Sequence, residues 1–218
     1  MAMASLQPFY NWTKDLKEED EKLPVFFIGH GSPMNGIEDN EFSRTWMKFG
    51  KEIPKPKAVL VISAHWLTNG THITAMNNPK TIHDFGGFPQ ALFDVQYPAK
   101  GNPELAKLTS DLITTTQVGL DHEWGLDHGT WTVVRHMYPN ADIPVLQLSI
   151  DYNKPPQYHF DLAKQLQSLR KKGVLIIGSG NMVHNLRMVA WDKLQEPEYG
   201  FDWAIEMNQI FKEKIGNR

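Results

Sequence analysis

Nine histidines and no cysteine stand in this 218-residue chain, and the first chemistry to consider is that of imidazole. His30 lies in Gly29-His30-Gly31-Ser32-Pro33, directly after the apolar run Val25-Phe26-Phe27-Ile28. His65 lies in Ser63-Ala64-His65-Trp66, directly after Ala58-Val59-Leu60-Val61-Ile62. His184 follows Val174-Leu175-Ile176-Ile177 through Gly178-Ser179-Gly180-Asn181-Met182-Val183, and His128 sits in the glycine-bracketed loop Gly125-Leu126-Asp127-His128-Gly129. Short β-branched runs that stop at glycine read as buried strands of a two-sided sheet. The carboxyl ends of such strands are where open α/β sheets bind ligands. Neutral imidazoles suit Fe, Zn, Ni or Cu, and a metal with open positions acts on bound water or oxygen. His30 and His65 are the strongest ligand candidates, since each ends a separate strand among small residues. His128 and His184 serve equally as ligands or as acid/base groups. His72, His122, His136 and His159 read as structural or surface side chains.

Two rival chemistries fit less well. Gly178-x-Gly180 after a strand resembles the opening of a dinucleotide fingerprint, but Val183 stands where its third small residue belongs. No strand ending in an acid follows at the distance a ribose would require. Ser32, Ser63 and Ser179 lie near strand ends without the Gly-x-Ser-x-Gly elbow of a hydrolase. The lack of cysteine excludes disulfides, thiolate nucleophiles and cysteine-ligated metals, so His, Asp or Glu must hold any ion.

The elements that position these residues alternate. Asp39 or Asn40 caps a helix through Trp46 and Phe49, and Asn102-Pro103 opens another carrying Leu105, Leu108 and Leu112. A strand is expected over Thr71-His72-Ile73-Thr74-Ala75-Met76 and a buried one over residues 143–150. One helix should carry Phe160, Leu162, Leu166 and Leu169 up to Gly173, and an amphipathic one residues 201–215. The expected fold is α/β: a three-layer sandwich with a largely parallel central sheet and helices on both faces. Residues 1–23 read as an N-terminal extension packed on a single domain over 24–218. With 22 basic and 25 acidic residues the net charge is −3, which gives no reason to expect nucleic acid or an anionic membrane as partner. No run reaches transmembrane length and no signal pattern opens the chain, so a cytoplasmic protein is expected.

Five motifs taken together resemble a known family: Gly29-His30-Gly31-Ser32-Pro33, Ser63-Ala64-His65-Trp66, Ile82-His83-Asp84-Phe85-Gly86-Gly87-Phe88-Pro89, Asp127-His128-Gly129 and Gly180-Asn181-Met182-Val183-His184-Asn185. In this order they are similar to the DOPA-type extradiol dioxygenases of the class III superfamily, over residues 23–218. The resemblance implies cleavage of a catechol beside its two hydroxyls, with both atoms of O₂ incorporated. It implies Fe(II) as cofactor, with Zn(II) as the alternative, held at His30 and His65. His184 corresponds to a residue that is a metal ligand in some members and the catalytic base in others, and His128 to a catalytic histidine contacting substrate or oxygen. His83, Phe85 and Phe88 fall in the loop expected to cover the substrate ring, the partners being a small catechol and O₂. The family pattern also carries a late Pro-x-Pro-Glu-His-type motif that this sequence lacks, so the chain is expected to be C-terminally incomplete and to cleave little by itself. A metal- or aromatic-binding relative without catalysis, and a zinc hydrolase using the same rim, are the alternatives.

Overall fold

The computed structural model describes residues 22–193, 196 and 199–216. The expected extension over 1–23 thus lies outside the described residues except for its last two. The strands are β1 (Val25–Ile28), β2 (Ala58–Ser63), β3 (Leu67–Thr68), β4 (Thr71–Thr74), β5 (Lys80–Thr81), β6 (Val118–Asp121), β7 (Gly125–Leu126), β8 (Val145–Gln147), β9 (Ile150–Asp151) and β10 (Val174–Ser179). The helices are α1 (Glu41–Glu52), α2 (Gln90–Phe93), α3 (Pro103–Leu112), α4 (His128–Met137), α5 (Pro156–Gln165), α6 (Gln167–Lys171) and α7 (Asp202–Gly216).

The central sheet runs β1-β10-β2-β8, and every pairing in it is parallel. The inner strands β2 and β10 are apolar on both faces because both are covered, as in parallel sheets generally, whereas the edge strand β1 leaves Val25 and Phe27 exposed. Val59, Val61, Leu175 and Ile177 face one layer, where Trp46 of α1 and Trp131, Val134 and Met137 of α4 pack. Ala58, Leu60, Val174 and Ile176 face the other, with Leu105 of α3, Leu162 of α5 and Leu169 of α6. This is the expected three-layer α/β arrangement. The register carries the functional consequence. Ile28 lies beside Ser179 and Ser179 beside Ser63, so these strands end in one row. Whatever follows Ile28 and Ser63 leaves the sheet at the same rim.

Asn40 caps α1 by accepting from the N–H groups of Phe42 and Ser43, and Asn102 caps α3 through Leu105. Two expectations change in detail. The run 143–150 forms two strands: β8 stays in the central sheet, whereas Ile150 N–H turns to the Trp66 carbonyl and β9 pairs β3. The helix expected up to Gly173 breaks at Leu166, whose N–H bonds Ala163 in a tight turn before α6 begins. Gly173 then ends it in the left-handed region at φ +78°.

The chain divides into two compact units, one up to Met182 and one from Val183 onward. The second contains short turns at Leu186–Met188 and Trp191–Lys193 and then α7, none of whose residues is buried. Among the described residues no helix is long and apolar enough to cross a membrane.

Candidate metal centre

His30 leaves β1 into a turn that fixes it from several sides. Gly31 follows at φ +66°, and a Cβ there would stand 2.8 Å from Asn35 Nδ2. A side chain at this position would therefore be strained and crowded. That same Nδ2 donates to the His30 carbonyl at 3.0 Å, within the short 3₁₀ turn Pro33–Gly36 that Ser32 caps. The imidazole of His30 is only 1% exposed. Its Nδ1 lies 2.9 Å from Ser179 Oγ, and that hydroxyl donates to the Gly129 carbonyl at 2.5 Å. With its proton committed, Ser179 accepts from Nδ1–H, which leaves the lone pair of His30 on Nε2.

His65 arrives from β2 at the same rim, its N–H donating to Ser63 Oγ at 3.2 Å. Its Nε2 stands 3.0 Å from Nε2 of His30. His128 opens α4, with Asp127 as the capping residue. The ring of His128 lies 3.9 Å from that of His65 and 5.3 Å from that of His30, centroid to centroid. One ring nitrogen from each of the three lies within 4.8 Å of the others, the grouping of His, Asp or Glu among the described residues that could hold a metal.

Asp84 joins two of them. Its Oδ1 accepts from His128 Nδ1 and from His128 N–H, each at 2.9 Å, and its Oδ2 faces His65 Nδ1 at 3.3 Å. Burial pushes the Asp84 carboxyl up, but the hydrogen bonds and charge of His128 outweigh it, and its pKa falls below the ordinary value. Beneath the cluster Asp127 is fully buried, accepting from Ser63 Oγ at 2.7 Å, Gln147 Nε2 at 2.6 Å and Thr130 N–H at 3.1 Å. Burial pushes its pKa up, against the hydrogen bonds from Gln147 and Ser63 that favour the charged form.

These donors fit a divalent metal. Three imidazoles bring a ring nitrogen each into one cluster, and two nitrogens each about 2.1 Å from a shared cation stand roughly 3 Å apart when adjacent. Without a proton or cation between them, lone pairs as close as those of His30 and His65 would repel.

The remaining residues singled out from the sequence divide clearly. Phe85 packs edge-on against His128 at 5.5 Å, and Phe88 packs edge-on against Phe85 at 5.5 Å. His83 turns elsewhere: its Nε2 donates to the Val95 carbonyl at 3.0 Å, and its ring packs by Trp131 and Phe93. His184 belongs to the second unit, where its side chain is exposed. His136 and His159 donate to the carbonyls of Asn35 and Asp151, as expected of structural histidines. Sequence reasoning gave no role to Asp84 or Asp127, and weighed Ser179 only as a nucleophile lacking its elbow. Asp84 lies inside a motif it quoted, and that placement was the available signal.

Comparison with known proteins agrees with this geometry. The family described as "Catalytic LigB subunit of aromatic ring-opening dioxygenase" matches residues 24–215. A protein of Escherichia coli (strain K12) named "4,5-DOPA dioxygenase extradiol" is 49% identical over 203 residues, covering 93% of this chain and 74% of that protein. One of the same name from Beta vulgaris is 43% identical over 172 residues, or 76% of this chain and 64% of that one. The crystal structure of uncharacterized protein JW3007 from Escherichia coli K12 superposes with a TM-score of 0.73 at 43% identity, covering 88% of this chain and 72% of the other. The fold is thus shared with a solved structure matched along most of the chain, and the protein belongs to the LigB family of aromatic ring-opening dioxygenases.

Proposed function

We propose that this protein opens the ring of a DOPA-like catechol in a metal-dependent extradiol cleavage that places both atoms of O₂ in the product. The observation that carries the reading is the convergence of His30, His65 and His128 beside the aromatic wall of Phe85. The names of the relatives from Escherichia coli and Beta vulgaris supply the substrate class. Fe(II) is the proposed metal, because imidazole ligands with open positions suit O₂ chemistry. Zn(II) is the alternative occupant. When bound, the metal supplies the positions at which catechol and O₂ meet, replacing a random encounter with an oriented one.

His30 and His65 are proposed to hold the metal, each through Nε2, since Nδ1 faces Ser179 in the one and Asp84 in the other. Phe85 and Phe88 flank the catechol ring and exclude water from its face. Removal of a catechol proton, and its return as the ring opens, fall to histidine, for which His128 and His184 are proposed. The further part suggested for His184, that of a ligand, is separable by experiment. Loss of a ligand lowers metal content, whereas loss of a proton-transfer group leaves the metal bound and slows turnover. No nucleic-acid or membrane partner is proposed, and the cytoplasm is the proposed location.

The test is anaerobic loading with Fe(II), then addition of DOPA and O₂. A yellow ring-opened product with one O₂ consumed per catechol is expected. Catechol binding without oxygen uptake would favour a non-catalytic relative, and oxygen-independent hydrolysis a zinc hydrolase.

A further inference from the structure

We propose that Asp84 is the positioning residue of the histidine cluster: one carboxylate sets the tautomers of both His65 and His128. The inference rests on the reading of those histidines as metal-facing groups, and it assigns the loop over residues 82–89 a second task besides its aromatic wall. An ionised carboxylate accepts hydrogen bonds and donates none. Oδ1 lies 2.9 Å from His128 Nδ1, and Oδ2 lies 3.3 Å from His65 Nδ1. Facing this acceptor, each Nδ1 is placed to carry a proton, which turns each Nε2 toward the cluster. The His65 Nε2 is the atom that meets His30 at 3.0 Å. The carboxylate is itself held in place, since Oδ1 also accepts the backbone N–H of His128 at 2.9 Å, and its side chain is only 20% exposed.

The neighbours of Asp84 make the arrangement rigid on both sides. His83 is anchored to the Val95 carbonyl at 3.0 Å, and Phe85 packs on the ring of His128 at 5.5 Å. The backbone is thus held on either side of Asp84, and the carboxylate cannot turn away without losing its two bonds to His128. A carbonyl partner would serve one histidine. A carboxylate bridging two makes their orientations interdependent, as buried acceptors do for metal-facing histidines generally.

Asp84→Asn tests this with little change of shape. The carboxamide offers one accepting oxygen and one donating NH₂, so it can satisfy only one Nδ1–H. The other ring must turn over to the Nε2–H form and lose its lone pair toward the cluster. In ¹⁵N spectra of the Zn(II)-loaded protein labelled at histidine, the unsubstituted chain should show both His65 and His128 protonated at Nδ1. Asp84→Asn should show one of them converted, with Co(II) affinity, measured by chelator competition, lowered about 10- to 100-fold. A His65 or His128 ring lacking the Nδ1 proton in the unsubstituted protein would overturn the proposal without any variant, so it stands or falls even if Asp84→Asn does not fold. Unchanged tautomers and unchanged Co(II) affinity in the variant would overturn it as well. Neither readout involves ring cleavage: an inactive protein with the expected tautomers supports the role of Asp84 and counts against the proposed reaction alone.

Discussion

Gly129 shows how closely the cluster is built at the scale of single atoms. A Cβ at this position would stand 2.5 Å from Ser63 Oγ and 3.0 Å from His65 Cδ2. Ser63 cannot yield easily, because its hydroxyl donates to buried Asp127 at 2.7 Å. Gly129→Ala should therefore displace the His65 ring. We expect a loss of stability of about 1–3 kcal/mol, as for other overpacked sites. A fall in Zn(II) affinity of roughly tenfold or more should accompany it. Urea unfolding and chelator competition measure the two effects, and an unchanged affinity would refute the displacement. His30, His65 and His128 were legible in the sequence because glycines and strand ends mark them locally. Asp84 was not, since its partner His128 is 44 residues away and nothing in the residue pattern records the pairing. Ser179 was noticed as a nucleophile candidate, whereas its hydroxyl spans His30 and the Gly129 carbonyl.

Between elements, α1 and α4 approach so closely that a Cβ at Gly50 would collide with the Met137 carbonyl. Met137 ends the helix that His128 begins, so this contact seats the helix at the end remote from the cluster. Gly50→Ala should push the helices apart and cost about 1–3 kcal/mol. The expected signature is a lower urea midpoint with an unchanged m-value, and Zn(II) affinity preserved in the folded fraction. Equal stability of the two proteins would mean that the helices adjust freely. The caps at Asn40 and Asn102 could be read in advance because a cap is a local device, set by one side chain and the next three residues. The split of residues 143–150 into β8 and β9 could not, because both halves are apolar and partner choice decides between them. The break at Leu166 was likewise hidden, since the apolar spacing of Phe160, Leu162, Leu166 and Leu169 continues through it.

In the whole molecule, the strand latest in sequence lies inside the central sheet, with β10 between β1 and β2. Parallel neighbours of this kind require long crossovers, and distant pairings slow folding. The hydrogen bond from His30 to Ser179 joins residues 149 apart, so it forms only once β10 has inserted. If that insertion follows the main barrier, Zn(II) added during kinetic experiments should slow unfolding and leave the refolding rate unchanged. Stopped-flow rates with and without Zn(II) measure this, and equal acceleration of refolding would place the assembled site in the transition state instead. The order of synthesis gives the same topology a further meaning. A growing chain offers β1 and β2 as strands still missing the one that joins them, with His30 and His65 already made but not yet side by side. With the metal held as proposed, its binding would follow closure of the sheet, because His30 and His65 come side by side only once β10 is in place.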